Sequence, residues 1–500
     1  MIRFAAVLSF GCLIIANFMA SPVVADKPNI VLILTDDLGY GDVGCYGATR
    51  VKTPHIDRIA REGVRFTDGY APAATCTPTR FAMLTGQYAW RIPGTGIAPP
   101  NATALIQPGQ PTLASMLSDA GYATGIVGKW HLGLGEKPGP NWNGDLKPGP
   151  LEIGFDHCYL MPTTGDRVPC VYVEGHRVVD LDPNDPITVS MQNPDRQPTG
   201  KTDRASLKMN WSHGHNSSIV NGISRIGFMA GGHRARWVDE DMADRFAEQA
   251  VKFIDKHQSE PFFLFFSLHD IHVPRVPHPR FQGSSECGIR GDAIVQVDWQ
   301  VGQILKALDQ RGLAEDTLVI FGSDNGPVLD DGYQDRAVED LNGHRPSGPL
   351  RGGKYSPYEG GTRTPFLVRW PKQVQPAVSE EIVCLVDLPA SLANLVDQPI
   401  GKKFPDSLVI TDALLGKRKA KGRSQLVIQG TSSLSYRDGD WKIVAPWKRR
   451  GVQSKSFQLF NLADDLGEQN NLAKQHPERL RAMKAQLKKI RTAGRSRTSS

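Results

Sequence analysis

The chain has 500 residues, 40% of them hydrophobic and 8% aromatic, which supplies one large core and a smaller one and excludes a disordered or fibrous protein. The formal charge of +6 does not mark a nucleic-acid binder, because eight Lys and Arg with no acid lie between Arg479 and Ser500, and without them the balance is −2. Seven cysteines without CxxC spacing exclude a zinc ribbon or a disulfide-dense scaffold.

The N terminus runs apolar from Phe4 to about Ala20 and ends in "SPVVAD", where Val23 and Ala25 are the small residues expected before a signal-peptidase cut. We expect residues 1–25 to be a secretory signal, lost together with Cys12. The mature protein is then exported: periplasmic or extracellular, or lysosomal or secretory in a eukaryote. No later run is long and apolar enough to span a bilayer, so no stable membrane insertion is expected. Of the remaining cysteines, Cys158 and Cys170 could pair, a question that spacing leaves open. Asn101, Asn210 and Asn216 sit in glycosylation sequons.

Four apolar runs then follow, and each stops at polar residues. "NIVLILTDD" ends at Asp36 and Asp37, and "ATGIVGKWH" at Lys129 and His131. "PFFLFFSLHDIH" ends at His269, Asp270 and His272, and "DTLVIFGSDNG" at Asp324 and Asn325. The amphipathic stretches "DEDMADRFAEQAVKFIDKH" and "DAIVQVDWQVGQILKALDQRG" read as helices. The pattern predicts an α/β fold, a large and mostly parallel sheet with helices on both faces. Ligands bind beyond the carboxyl ends of strands in such sheets, so the polar endings are site candidates.

Asp36, Asp37, Asp324 and Asn325 gathered at one edge would repel unless a cation lay between them. All four offer hard oxygens, which suits Ca²⁺ or Mg²⁺ rather than Zn²⁺, and several protein oxygens favour calcium. Arg80, Lys129, His131, His272 and Lys354 supply cations and imidazoles suited to a tetrahedral oxyanion, either a sulfate or a phosphate ester.

The segment "CTPTRFAMLTG", starting at Cys76, resembles the Cys-x-Pro-Ser/Thr-Arg signature of the type I sulfatases, with Thr79 where serine is commoner. The blocks "PNIVLILTDDLGYGDVGCYG", "GYATGIVGKWHLG", "HVP", "SDNGP" and "GKYSPYEGGTRTPFLVRWP" are similar to further blocks of that arylsulfatase-like family, within the alkaline phosphatase superfamily, and stand in the same order. The resemblance implies that a maturation enzyme oxidises Cys76 to formylglycine (3-oxoalanine). It implies that Asp36, Asp37, Asp324, Asn325 and the modified Cys76 bind one Ca²⁺. Arg80 and Lys129 would hold the formylglycine, His131 would contact its diol, Lys354 would grip the sulfate and His272 would face the leaving oxygen. A diol explains why a plain thiol is insufficient: one hydroxyl attacks sulfur and the other later expels sulfate by collapsing to the aldehyde. Asp324 would assist deprotonation of the attacking hydroxyl, and His131 that of the second.

Between Gly154 and Trp237 the chain has no clear period, as expected of functional loops. His176, Arg177, His213, His215, Arg225 and Arg234 are candidates there for contacts to a sulfated saccharide. After Gly416, "QLVIQG", "SLSYRDGDWKIVAPW" and "SFQLFNLADD" read as short antiparallel strands before a terminal helix. The expected organisation is a signal (1–25), a catalytic domain (26–415) and a small C-terminal domain with an antiparallel sheet, a basic helix and a tail (416–500). A secreted sulfatase is the first reading. A phosphomonoester or phosphonate hydrolase and a non-catalytic binder of sulfated glycans are the alternatives.

Overall fold

The computed structural model describes residues 27–193, 196–449 and 451–497; the expected signal segment lies outside them. Ten strands form the large sheet: β1 (Asn29–Thr35), β2 (Val64–Phe66), β3 (Ala123–Lys129), β4 (His157–Met161), β5 (Val173–Glu174), β6 (Arg177–Val178), β7 (Phe262–Ser267), β8 (Thr317–Ser323), β9 (Phe366–Arg369) and β10 (Ala377–Ser379). Their order is β10-β2-β9-β8-β1-β7-β3-β4-β5-β6. The central strands β8, β1, β7, β3 and β4 run parallel, while β9, β5 and β6 enter antiparallel to their neighbours.

Strands β1, β7 and β8 are buried along their whole length, which is why their sequences are continuous apolar runs rather than alternating ones. Helices α1 (Pro54–Arg61), α4 (Met242–Lys256) and α5 (Gly288–Gln310) pack together in one layer. Helices α2 (Cys76–Thr85), α3 (Leu113–Asp119) and α6 (Leu388–Leu395) form another. The two predicted amphipathic helices are α4 and most of α5, as expected. Strand β4 was not expected, because the apolar run in "HCYLM" is only four residues long, and it extends the sheet beyond β3.

Register sets the level at which the strands end. Thr35 pairs with Ser323, Leu34 with Ser267, and Ser267 with Gly128. The residues that follow, Asp36, Asp324, Leu268 and Lys129, therefore emerge side by side. Gly128 makes this possible at β3: its φ is +112°, and a Cβ there would lie 1.9 Å from the Ser267 carbonyl oxygen.

The C-terminal sheet is antiparallel, with strands β11 (Gln425–Gln429), β12 (Leu434–Asp438), β13 (Trp441–Val444) and β14 (Gln458–Asn461) in that order; the short helix α7 (Thr411–Leu414) precedes it. Asp438 pairs with Trp441 across the predicted tight turn, where Gly439 takes φ +57°. The last helix, α8 (Pro477–Thr492), buries Met483, Leu487 and Ile490 against Ile428, Tyr436 and Ile443, while its Lys and Arg residues face solvent. Among the described residues no helix is long and apolar enough to cross a membrane.

The two sheets meet around the segment 351–363, which carries Lys354. Lys442 of β13 is fully buried between Glu359 at 2.8 Å and Glu468 at 2.9 Å. The ring of Tyr358 packs edge-on to Phe460, and its hydroxyl hydrogen-bonds Gln458 at 2.7 Å. The small sheet thus holds from behind a loop that the large sheet uses in front. Cys158 and Cys170 are both buried free thiols, so the pairing left open by spacing is not made.

Candidate active site

Every candidate named for the metal or the reaction converges at the carboxyl edge of β8, β1, β7 and β3. Asp36 and Asp37 follow β1, Asp324 and Asn325 follow β8, and Lys129 closes β3. Cys76 is the first residue of α2, a helix buried throughout, after Thr75 in extended conformation. Thr79 ties this entry down: its Oγ1 donates to the Ala73 carbonyl at 3.0 Å and accepts the Ala73 N–H at 3.2 Å. Arg80 then reaches across, its Nε 2.9 Å from Asp324 Oδ2 and its Nη1 2.9 Å from the Lys129 carbonyl.

The acidic set is arranged as a receptor for a cation. Asp36, Asp37 and Asp324 bring carboxylate oxygens within 4.8 Å of one another. Lys129 holds Asp36 Oδ2, Lys354 holds Asp37 Oδ2 at 2.9 Å, and Asn325 Nδ2 donates to Asp37 Oδ1 at 2.7 Å. Three oxygens remain buried without a hydrogen-bond partner: Asp36 Oδ1, Asp324 Oδ1 and Asn325 Oδ1. Unpaired buried acceptors are rare and costly, and a hard cation is the group that satisfies several at once. The residues therefore fit calcium. Burial and the neighbouring Asp36 push the Asp324 carboxyl up to about 7, the repulsion that such an ion would relieve.

Neither Arg80 nor Lys129 hydrogen-bonds Cys76: Arg80 bonds Asp324, the Lys129 carbonyl and Ser267, and Lys129 bonds Asp36. The closest partner of the cysteine is His131, whose Nδ1 lies 3.2 Å from Sγ. The other ring nitrogen, Nε2, is 3.1 Å from the Ala98 carbonyl, which can only accept. Nε2 therefore carries the proton, and the Nδ1 lone pair faces Cys76. Burial, with help from Lys129, holds His131 well below the usual histidine range, and the ring is neutral.

A cavity of about 240 Å³ opens over Cys76 and is lined by His272, Lys354, Asp331, Tyr355, Arg167 and His215, among others. His272 donates from Nδ1 to the Val273 carbonyl at 2.8 Å, which leaves Nε2 for whatever enters; burial and then Lys354 bring its pKa down to about 4. Lys354 is also bound by Asp331 at 3.1 Å, and Asp331 accepts the Tyr355 hydroxyl at 2.9 Å. His215 has an acceptor at each nitrogen, the His213 carbonyl and Asp166 Oδ2, both at 2.8 Å; against the cost of burial, Asp166 raises its pKa above the usual histidine value. A larger groove of about 890 Å³ lies beside α8, far from any of these groups.

Of the six loop candidates, His213 and His215 line the cavity. The other four do not: His176 pairs with Glu152 at 2.7 Å, Arg177 with Asp145 at 2.8 Å and Arg234 with Asp180 at 3.9 Å, while Arg225 is buried on Asp239 at 2.8 Å. Asp270 turns away to accept from Gln296 and Gln300. Sequence reasoning missed Asp166, Arg167, Asp331 and Tyr355. For the last two a signal existed, an "LDDGY" turn and the residue next to Lys354.

A family model described as Sulfatase matches residues 28–398. Over 480 residues, 94% of each chain, this protein is 50% identical to the N-acetylgalactosamine-6-O-sulfatase of Bacteroides thetaiotaomicron. It is 34% identical over 412 residues to human arylsulfatase A, covering 81% of this chain and 71% of that one. A solved structure from work on glycosaminoglycan metabolism by Bacteroides thetaiotaomicron superposes with a TM-score of 0.92 at 50% identity, over 94% of this chain and 100% of that one. A Pseudoalteromonas sulfatase superposes with a TM-score of 0.67 at 26% identity, over 94% and 92% of the two chains.

Proposed function

This chain belongs to the sulfatase family, and from that premise we propose that it removes sulfate from sulfated saccharides, using a formylglycine made from Cys76 and one bound Ca²⁺. The 6-O-sulfate of N-acetylgalactosamine is the first candidate substrate, a reading supported by 50% identity along 94% of both chains to an enzyme named for that ester. The observation that carries the mechanism is the pairing of Cys76 with the His131 lone pair at 3.2 Å, beside three buried oxygens without partners.

Asp36, Asp37, Asp324 and Asn325, with the modified residue 76, would hold the calcium, which supplies positive charge to the clustered carboxylates and to a sulfate oxygen. Formylglycine, once hydrated, supplies an oxygen nucleophile and a second hydroxyl that lets sulfate go. The chain's own residues do the rest. His131 faces position 76 with the Nδ1 lone pair and can accept a proton there, and Asp324 would assist deprotonation of the attacking hydroxyl. Lys354, fixed between Asp37 and Asp331, brings an ammonium to the sulfate end of the cavity. His272 turns Nε2 to the ester oxygen that departs; because Nδ1 already donates to Val273, Nε2 gives a proton only from the imidazolium, the form that a bound anionic sulfate ester favours. Arg80 and Lys129 secure Asp324 and Asp36 and add positive charge under the site. Export under the signal of residues 1–25, maturation by a formylglycine-generating enzyme and a domain boundary near residue 415 belong to the same proposal.

The test is a side-by-side assay of sulfate and phosphate release from a panel of sulfated and phosphorylated saccharides. Sulfate release led by N-acetylgalactosamine 6-sulfate is expected. Preferential phosphate release would overturn the reading in favour of a phosphomonoesterase.

A further inference from the structure

Strand β7 delivers two histidines to the site, and the proposed chemistry uses only His272. His269 is 4% exposed, and its ring lies tilted against that of His272 with centroids 5.5 Å apart. Its Nε2 lies 3.2 Å from the backbone nitrogen of Gly165. A backbone N–H can only donate, so Nε2 carries the lone pair and the ring proton of the neutral histidine sits on Nδ1. That Nδ1 has no hydrogen-bond partner, and the carboxylate oxygen it faces is Asp36 Oδ2, 3.6 Å away.

The geometry behind His269 is as constrained as the geometry in front. A Cβ on residue 165 would lie 2.5 Å from Nε2, so glycine is what lets the backbone approach the ring. The Gly165 carbonyl accepts from Arg225 Nη1, and Arg225 is itself buried on both oxygens of Asp239 at 2.8 Å. A continuous path thus runs from a buried ion pair through Gly165 and His269 to Asp36. On Asp36, Lys129 and His269 both address Oδ2, and Oδ1 is left without a partner.

We propose that His269 is a positioning residue for Asp36: its Nδ1 proton, aimed at Oδ2 from 3.6 Å, closes onto that oxygen when the cation is taken up and keeps Oδ1 turned to the cation. The inference rests on the calcium reading above. Outer partners of metal ligands typically contribute ~10–100-fold to affinity, and an imidazole locked in one tautomer by a backbone N–H is a partner of that kind.

The experiment is calcium titration of the metal-stripped full-length enzyme by calorimetry, for the wild type and for His269→Asn, His269→Gln and His269→Leu. The amide nitrogen of asparagine falls near the Nδ1 position, whereas that of glutamine falls near Nε2. His269→Asn should bind calcium close to the wild type, and His269→Gln and His269→Leu should lose ~10–100-fold. Should the leucine variant fail to fold, the contrast between asparagine and glutamine decides alone, because a packing role does not distinguish them in that order. Equal calcium affinity in the wild type and His269→Gln, or equal losses in the asparagine and glutamine variants, would overturn the inference. A wild type that binds no calcium would overturn the cation reading itself, and the inference with it.

Discussion

Replacing His272 by alanine separates the role of leaving-group acid from all other ways of harming the site. A sugar alkoxide is a poor leaving group and needs a proton as the S–O bond breaks, whereas a nitrophenolate departs with far less help. General acid catalysis contributes ~10²–10⁴-fold where a proton is needed, or about 3–5 kcal/mol of barrier. His269 cannot take over this role, and Lys354 can do so only by giving up a proton held between Asp37 and Asp331. The Nε2 lone pair of His269 faces the Gly165 N–H, and the Lys354 ammonium lies between Asp37 and Asp331. His272→Ala should therefore reduce kcat/KM on the sulfated sugar by ~10²–10⁴-fold and on nitrophenyl sulfate distinctly less. The assay is kcat/KM on both esters, with chemistry shown to limit the sugar reaction. His131→Ala, which acts at position 76, serves as the control and should slow both esters alike where that step limits both. Equal losses on the two esters for His272→Ala would refute the acid assignment.

Exhaustive chelation should abolish turnover, and calcium should restore it better than zinc, because the donor set is oxygen; full activity in enzyme shown metal-free by elemental analysis would contradict this. Lys442→Met removes the ammonium shared by Glu359 and Glu468 and leaves Glu468 buried without a cation, while Glu359 keeps Arg363 at 3.4 Å; it should cost ~3–5 kcal/mol, read as a lowered denaturation midpoint. Asp298 caps α1 from α5, accepting the His55 and Ile56 N–H groups at 3.0 and 2.8 Å, and burial pushes its carboxyl up to about 7. With the folded pKa above the unfolded one, its share of stability falls as pH rises from about 4 to about 7, so Asp298→Asn should flatten that decline in Tm across the window.

The site was legible in the sequence where one rule governed it. In a parallel sheet covered on both faces, a strand is a continuous apolar run and the polar residues just after it mark the carboxyl edge. Asp36, Lys129, His272 and Asp324 could all be found that way. Their common level could not, since it depends on the pairing of Thr35 with Ser323 and of Ser267 with Gly128 across long stretches of chain. Loop residues followed no such rule. Arg225 and His215 looked alike as exposed-loop cations, yet one is buried as a strut behind Gly165 and the other sits in the cavity wall on Asp166. The partner of His269 lies 104 residues away in a loop without periodicity, so nothing local to "SLHDIH" announces it. Strand β4 was missed because its apolar run, Cys158 to Met161, is too short to stand out from a loop.

The central claim, that Cys76 is the precursor of the nucleophile, is tested most directly by mass spectrometry of the peptide containing residue 76 from enzyme of known specific activity. The account predicts loss of the thiol and a hydrazide-reactive carbonyl at that residue, in proportion to sulfatase activity across preparations. Full sulfatase activity from protein whose Cys76 is wholly unmodified would contradict it.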